Sequence, residues 1–436
     1  MIKTSVVGIC LMFVLSATLS SGLVLNGEIK ENKTEIEACT IPSKIKQIIN
    51  KINETLLENY LQTLVNLGPR MTGTHGAEIA AEYLTKELEK MGYDVEYQYF
   101  EECGNIWNPK LFKGKNIIVT LNGTNDPEED ILIFNAHYDT TKDSVGGVDD
   151  GTGVAGVLGA AYAMSQFTFN RTIKFVLFSG EEIGLVGSNV YSKRAYEQNQ
   201  DIFLEINADM IGVSNTTEDG KTARLSGVED AEWIMEKIEN ISTDYNLDLG
   251  FENFPRWDMD PYYYRGYSDY FGFITHGYNS IAFWESGSYE YANTPLDFID
   301  YVNYSYLSRM TKLITATLAY LADAELEYPQ IKITSPKKGK VYYEDRIIKD
   351  LKGTKSIVFD DVLIYFDVEE GNAPIDRIEL YYNGKLLETI KEKPYAYRLN
   401  KLSFRKHLIE AYVYDTEGRT DSDFVYIHYY NFLKNR

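Results

Sequence analysis

The sequence predicts an α/β protein: a mixed, mostly parallel twisted sheet with helices on both faces, joined to a C-terminal all-β sandwich. Three observations predict it. Ile131 to Ala136, Ile173 to Phe178 and Phe203 to Ala208 are mainly apolar runs of strand length, and strands that read this way are buried on both faces. Helix-period segments precede them and the small, apolar segment Gly153 to Met164 stands between the first two, the alternation that builds a covered sheet. From Pro329 onward, short runs alternate at period two with turn residues between them, as in stacked antiparallel sheets.

In chain order, residues 1–22 read as a signal peptide. Lys3 precedes an apolar core from Val6 to Leu15 and small residues from Ser16 to Gly22, and that core is shorter than a membrane span. An uncleaved anchor is the competing reading. Residues 23–44 are polar and expected to be loose, and residues 45–325 form the α/β domain. Its first helix is expected from Ile45 to about Arg70, with Ile48, Ile52, Leu56, Tyr60 and Leu64 near one face and Gly68-Pro69 as the breaker. Thr74 should cap a second amphipathic helix that Gly92 ends. Strands follow at Tyr93 to Phe100 and Lys115 to Leu121, then the buried strand ending at His137. Gly153 to Met164, small and apolar, should be a helix packed tightly on the sheet. After the next two buried strands comes a short one, Ser280 to Trp284, and a long helix, Tyr304 to Leu321, closes the domain. Residues 326–436 read as an immunoglobulin-like β-sandwich, with strands at Val362 to Val368, Ile378 to Tyr382, Leu408 to Tyr414 and Phe424 to Tyr429, and a hairpin turn at Asn383-Gly384.

At 436 residues with 44% hydrophobic and 25% charged side chains, the chain is globular, and its formal net charge of −22 argues against a nucleic acid or an anionic membrane as partner. No stretch after the leader is long and apolar enough to span a bilayer, so a secreted or extracytoplasmic protein is expected. Cys39 and Cys103 remain after the leader, an even pair in an oxidising compartment. Asn32, Asn53, Asn122, Asn170, Asn215, Asn240 and Asn303 begin glycosylation triplets. Cell-surface or polysaccharide contact through the C-terminal domain is a further expectation.

The chemistry sits at the strand ends, where open α/β sheets gather ligands. His137 ends one buried strand with Asp139 two residues on. Asp149 and Asp150 precede Gly-Thr-Gly and a helix, Glu181 and Glu182 follow the second strand, and Asp209 follows the third. One imidazole with several carboxylates suits zinc. An unpaired carboxylate such as Asp209 after an apolar strand costs free energy unless something neutralises it. Paired aspartates before small residues suit a metal-bridging carboxylate, although an N-cap at the helix dipole explains them as well. Adjacent glutamates pointing different ways let one bind metal while the other handles protons.

The order His-x-Asp, Asp-Asp-Gly-Thr-Gly, Gly-Glu-Glu-x-Gly, Asp-Met-Ile-Gly, Ser268-Asp269, then x-Thr-Pro-x-Asp resembles the secreted co-catalytic zinc exopeptidases, which include bacterial leucyl aminopeptidases, glutamate carboxypeptidases and related glutaminyl cyclases. The resemblance covers roughly residues 45 to 322; Gly68-Pro69-Arg70 and Lys115-Asn116-Ile117-Ile118 also match. It implies that His137, Asp149 and Asp209 hold one zinc, that Asp149 bridges to a second zinc bound by Glu182, that Glu181 is the general base and that Asp139 orients His137. Where the family has a second-site histidine, this chain has Asn293 before Thr294-Pro295-Leu296-Asp297. Three alternatives follow: Asn293 ligates through its amide oxygen, a neighbour such as His276 or Glu285 takes the role, or one metal binds. His75 reads as a surface residue at a helix start, and His407 and His428 belong to the β domain.

The expected function is zinc-dependent hydrolysis of peptides or proteins, as an exopeptidase and foremost an aminopeptidase. The alternatives are a single-zinc acyl transferase of the glutaminyl cyclase kind and a peptidase-fold binding protein with impaired catalysis. Trp257 to Phe273, dense in aromatics, either lines a substrate pocket or is ordinary packing in a chain with 35 tyrosines.

Overall fold

Every residue of the strand Ile131–His137 is buried, because helices cover the sheet on both faces; this is why that strand is apolar from Ile131 to Phe134. A computed structural model describes residues 41–106, 109–125, 127–227, 232–253, 268–324, 329–351 and 356–431. The expected leader, Cys39, Asn32, most of the aromatic stretch (Trp257 to Tyr267) and the expected domain boundary at 325–326 lie outside the described residues.

The first sheet has eight strands: β1 (Val95–Cys103), β2 (Leu111–Leu121), β3 (Ile131–His137), β4 (Ile173–Phe178), β5 (Ile202–Ala208), β6 (Thr222–Gly227), β7 (Gly250–Asn253) and β8 (Ser280–Glu285), in the order β1-β2-β4-β3-β5-β8-β6-β7. The central run β4-β3-β5-β8 is parallel. β1 and β2 add antiparallel at one side, and β6 returns antiparallel to β8 with β7 parallel to it. The site residues follow β3, β4, β5 and β8 in the parallel centre, so the mixed sheet delivers them to one edge.

One face of the sheet is covered by α1 (Ile41–Ile49), α2 (Glu54–Asn66), α3 (His75–Lys90), α4 (Gly151–Met164), α6 (Glu232–Asp244) and α8 (Tyr304–Asp323); Leu57, Leu84, Leu158, Ile238 and Ile314 share a core there with Phe134, Phe175 and Leu204. The other face is covered by α5 (Val186–Glu197) and α7 (Tyr270–Thr275), where Tyr191 and Phe273 pack with Ile133, Val176 and Phe178. The single helix expected from Ile45 to Arg70 is two. Asn53 takes an extended backbone (φ −145°) and its side chain accepts from Leu56 N at 3.0 Å; an asparagine that bonds nearby backbone is a better cap than an interior residue. Thr74 caps α3 as expected, and His75 is its exposed first residue. Asn303 caps α8 through Tyr306 N, so two of the glycosylation triplets spend their asparagine on helix starts. α5, α6, β6 and β7 carry no strong period in the sequence, whereas the Ile274-Thr275-His276-Gly277 segment reads as the helix end that α7 supplies.

The C-terminal region has two sheets. β9 (Gln330–Ser335), β13 (Val362–Glu369) and β16 (Ala396–Leu399) form one. The other contains β10 (Lys340–Tyr343), β11 (Arg346–Asp350), β12 (Ser356–Phe359), β14 (Ile375–Tyr382), β15 (Lys385–Ile390), β17 (Ser403–Asp415) and β18 (Thr420–Asn431). Ile364, Phe366 and Leu399 of the first pack with Ile378, Ile409, Val413 and Ile427 of the second, which makes the region a sandwich. Asn383 and Gly384, both at positive φ (53° and 71°), turn β14 into β15 as the sequence predicts. β12 pairs parallel with both β10 and β18, a mixture that period-two patterning does not reveal. His407 is buried in β17, with Nδ1 2.8 Å from the Asn383 amide nitrogen and Nε2 against Ser403. Cys103 is an exposed free thiol.

The sandwich rests on the α/β region. Lys332 pairs with Asp201 at 2.7 Å, and the Lys338 ammonium sits 4.9 Å from the Tyr196 ring and 5.2 Å from that of Phe424. Phe424 also fills the space over Gly277, where a Cβ would stand 1.5 Å from the ring.

Candidate metal centre and active site

His137 ends β3, buried, with its Nδ1 3.2 Å from the carbonyl oxygen of Asp139. A carbonyl only accepts, so Nδ1 carries a proton and Nε2 is left to ligate. Nε2 lies 3.3 Å from Asp149 Oδ1 and 3.8 Å from Asp209 Oδ1. Nε2 and Asp209 Oδ1 are buried without a hydrogen-bond partner, which is costly unless something else satisfies them. Two ligand atoms on one tetrahedral zinc stand about 3.3 Å apart. These separations therefore suit a shared ion, and the donor set of one imidazole and two carboxylates fits zinc.

The Asp149 backbone is held by Asp297. Asp297 accepts from Val148 N (2.8 Å), Asp149 N (3.2 Å) and the Tyr289 hydroxyl (2.7 Å). The Thr-Pro-x-Asp segment thus anchors the loop that presents Asp149. Arg70, fully buried, donates to the carbonyls of Tyr138, Val145 and Gly146 and fixes the same loop from below. Asp150 is the N-cap of α4; its Oδ1 accepts from Gly153 N at 2.9 Å and Met210 N at 3.0 Å. Gly153 is required there, since a Cβ would stand 2.3 Å from the Asp150 carboxylate and 2.4 Å from the Ala208 carbonyl. Of the paired aspartates, Asp149 faces His137 and Asp150 ties the loops together.

Glu181 and Glu182 follow β4, and each brings a carboxylate oxygen within 4.8 Å of a His137 ring nitrogen. Asp139 organises them more than it orients His137. Its Oδ1 is 3.7 Å from Nδ1, whereas the carboxylate accepts from Glu181 N at 3.2 Å and Thr72 Oγ1 at 3.0 Å. The imidazole is oriented through the Asp139 main-chain carbonyl instead.

Asn293 is exposed at φ 63°, and its carbonyl accepts from Thr141 Oγ1 at 3.2 Å. Neither suggested replacement joins the metal clusters formed by the described residues. His276 ends α7 with Nδ1 2.7 Å from Gly272 O, the helix-end role. Glu285 is buried next to the Asp209 loop and accepts from Gly212 N and Val213 N. Asp269, which ends the Ser-Asp segment, is fully buried with neither carboxylate oxygen hydrogen-bonded. In the sequence Arg70, Asp269 and Asp297 stand out only as parts of motifs; a polar residue inside a motif is the available signal. Of the aromatic stretch, Tyr270 packs edge-on against Trp284 and Phe273 against Phe178 and Tyr191, so these two rings are core.

Burial sets the electrostatics. Desolvation pushes Glu181 well above the carboxylate range, with Glu182, Asp209 and Asp269 adding repulsion. Desolvation also raises Asp150 well above that range, Glu182 to about 9 and Asp269 to about 7. Burial pulls the His137 imidazole down, but Glu181 and the contacts with Asp139, Asp149 and Asp209 outweigh it and hold it well above its ordinary value. All these folded-state values lie above the unfolded ones. The stability they carry is therefore fully present below about pH 4 and is lost progressively as pH rises, up to about 7 for Asp269 and about 9 for Glu182. Metal-free protein should melt at a lower temperature at pH 9 than at pH 5.5, and zinc should flatten that slope by neutralising the carboxylates; calorimetry with and without zinc reads both.

Residues 116–318 match peptidase family M28. Over those residues the chain is similar to the M28 peptidases. It is 25% identical over 324 residues to a probable zinc metalloprotease of Pyrenophora teres, covering 64% of this chain and 67% of that one. It is 28% identical over 161 residues to a vacuolar membrane protease of Candida albicans, 36% of this chain but only 19% of the relative. An aminopeptidase from Aneurinibacillus superposes with a TM-score of 0.54 at 15% identity, over 64% of this chain and 96% of that one; at that identity the likeness is one of fold. The M28 match lies within the α/β region.

Proposed function

We propose that this protein is a zinc-dependent aminopeptidase that acts outside the cytoplasm. The observation that carries the reading is the convergence of His137, Asp149 and Asp209 around unpartnered buried ligand atoms, with Glu181 beside them. His137, Asp149 and Asp209 would hold one zinc, and Asp149 with Glu182 a second. Bound zinc supplies Lewis acidity, polarising the scissile carbonyl and acidifying water. Glu181 takes the proton of the attacking water and returns it to the leaving amine, while the hydrogen bond from Glu181 N to Asp139 holds that residue's backbone in place.

Cleavage at an N-terminus follows from charge. Asp139, Asp149, Asp150, Glu181, Glu182, Asp209, Asp269 and Glu285 surround the site, while the buried Arg70 is spent on carbonyls. A free α-ammonium suits this acid surplus; a substrate's terminal carboxylate would be repelled by it. The extracytoplasmic placement is supported by the sequence from Lys3 to Gly22. Chelation should abolish hydrolysis of an aminoacyl anilide and zinc should restore it; activity that survives full chelation sinks the proposal.

Asn293 makes the second site the weaker one, because an amide oxygen ligates zinc poorly beside imidazole. The purified protein should hold between one and two zinc ions, with mild chelation stripping one first. Asn293→His should raise occupancy toward two, as elemental analysis would show. Two tightly held ions in the unaltered protein would contradict this.

A further inference from the structure

We infer that Glu285 is a positioning residue for the metal ligand Asp209. The inference rests on the metal-site reading above. Asp209 ends β5, and directly after it the chain turns through Met210 at φ 55°, a left-handed conformation that a side chain resists. Such a turn persists only where its surroundings hold it. Here Asp150 Oδ1 accepts from Met210 N at 3.0 Å, Thr152 Oγ1 accepts from Ile211 N at 3.1 Å and Asn303 N donates to Gly212 O at 2.9 Å, and further restraints come from Glu285 and its strand. Glu285 N donates to Met210 O at 2.8 Å. Glu285 Oε2 accepts from Gly212 N at 3.0 Å and Val213 N at 2.6 Å. Phe283 O, two residues earlier on β8, accepts from Asp209 N at 3.2 Å. Glu285 thus closes the loop after Asp209 at both ends and prolongs the β5–β8 pairing past the end of the sheet. The side chain is 5% exposed and its Oε1 has no hydrogen-bond partner. A buried, half-satisfied carboxylate in an acid cluster is a poor choice for stability alone. Its geometry is spent on the loop that carries Asp209.

Two substitutions separate reach from charge. Glu285→Gln keeps an oxygen that accepts from both amides but loses the charge. Glu285→Asp keeps the charge but is about 1.5 Å too short to reach them. Zinc affinity is read by competition with a chromogenic chelator, and metal-free melting temperature beside it. Supporting-contact losses cost metal sites about 10- to 100-fold in affinity, so Glu285→Asp should weaken zinc by that much and Glu285→Gln by no more than about threefold. The metal-free melting temperatures of both should stay near that of the unaltered protein. Zinc binding by Glu285→Asp as tight as by Glu285→Gln overturns the inference, and so does a large drop in metal-free melting temperature, which would make Glu285 a stability residue. Asp209→Ala serves as the control. If it binds zinc normally, the metal-site reading itself falls; if it loses zinc while Glu285→Asp does not, only the inference falls.

Discussion

Glu181→Gln should lower turnover by about a hundred- to ten-thousandfold, the usual worth of a general base, with zinc content unchanged. The substitution is nearly isosteric. Glu181 N keeps its hydrogen bond to Asp139 Oδ1, and Glu181 O keeps those from Gly184 N and Leu185 N, so the loop after β4 should hold its shape. The loss is of a proton acceptor alone. Substrate binding should survive, so the fall belongs in kcat rather than KM. An assay of kcat beside elemental analysis decides it; near-normal turnover at full zinc would leave Glu181 without a role.

Asp149→Ala should have the largest effect on metal. Asp149 is the carboxylate closest to His137 Nε2, at 3.3 Å, and among the charged neighbours that raise Glu182 it stands first after burial. In the two-zinc reading it is the carboxylate that both sites would share. Its removal should take zinc below one ion per chain and activity to background. The metal-free fold should not suffer. The backbone of Asp149 is held by Asp297 rather than by its own side chain, and deleting one of several crowded carboxylates relieves repulsion. Metal-free melting at pH 8 should thus stay level or rise. A variant that keeps two zinc ions would remove Asp149 from the centre, and one that unfolds would make it structural.

Much of this was legible in the sequence for a definite reason. Ile173–Phe178 is legible to the residue because a strand buried on both faces is mostly apolar, interrupted here by Lys174 alone, and its end is where the site begins. His137, Asp149, Glu181, Glu182 and Asp209 meet because each follows an apolar strand or opens a helix. Less legible were contacts that depend on a distant partner. Asp297 holding the Asp149 loop, Arg70 capping three carbonyls and Glu285 clamping the Asp209 loop span many residues. No local period encodes such pairs. The break at Asn53 was hidden because the apolar period runs through it, although a glycosylation triplet and a helix cap share the residue. The roles of the two Asp139 acceptors, carbonyl to His137 and carboxylate to Glu181 and Thr72, depend on angles a sequence does not hold.

The central claim is that a zinc centre built on His137, Asp149 and Asp209 removes residues from a free N-terminus. Its most direct test gives zinc-loaded protein a matched pair of peptides, one with a free α-amino group and one acetylated there, with products followed by mass spectrometry. The account predicts stepwise loss of N-terminal residues from the free peptide, none from the acetylated one, and none from either after chelation. Equal cleavage of both peptides, or cuts at internal bonds, would contradict it.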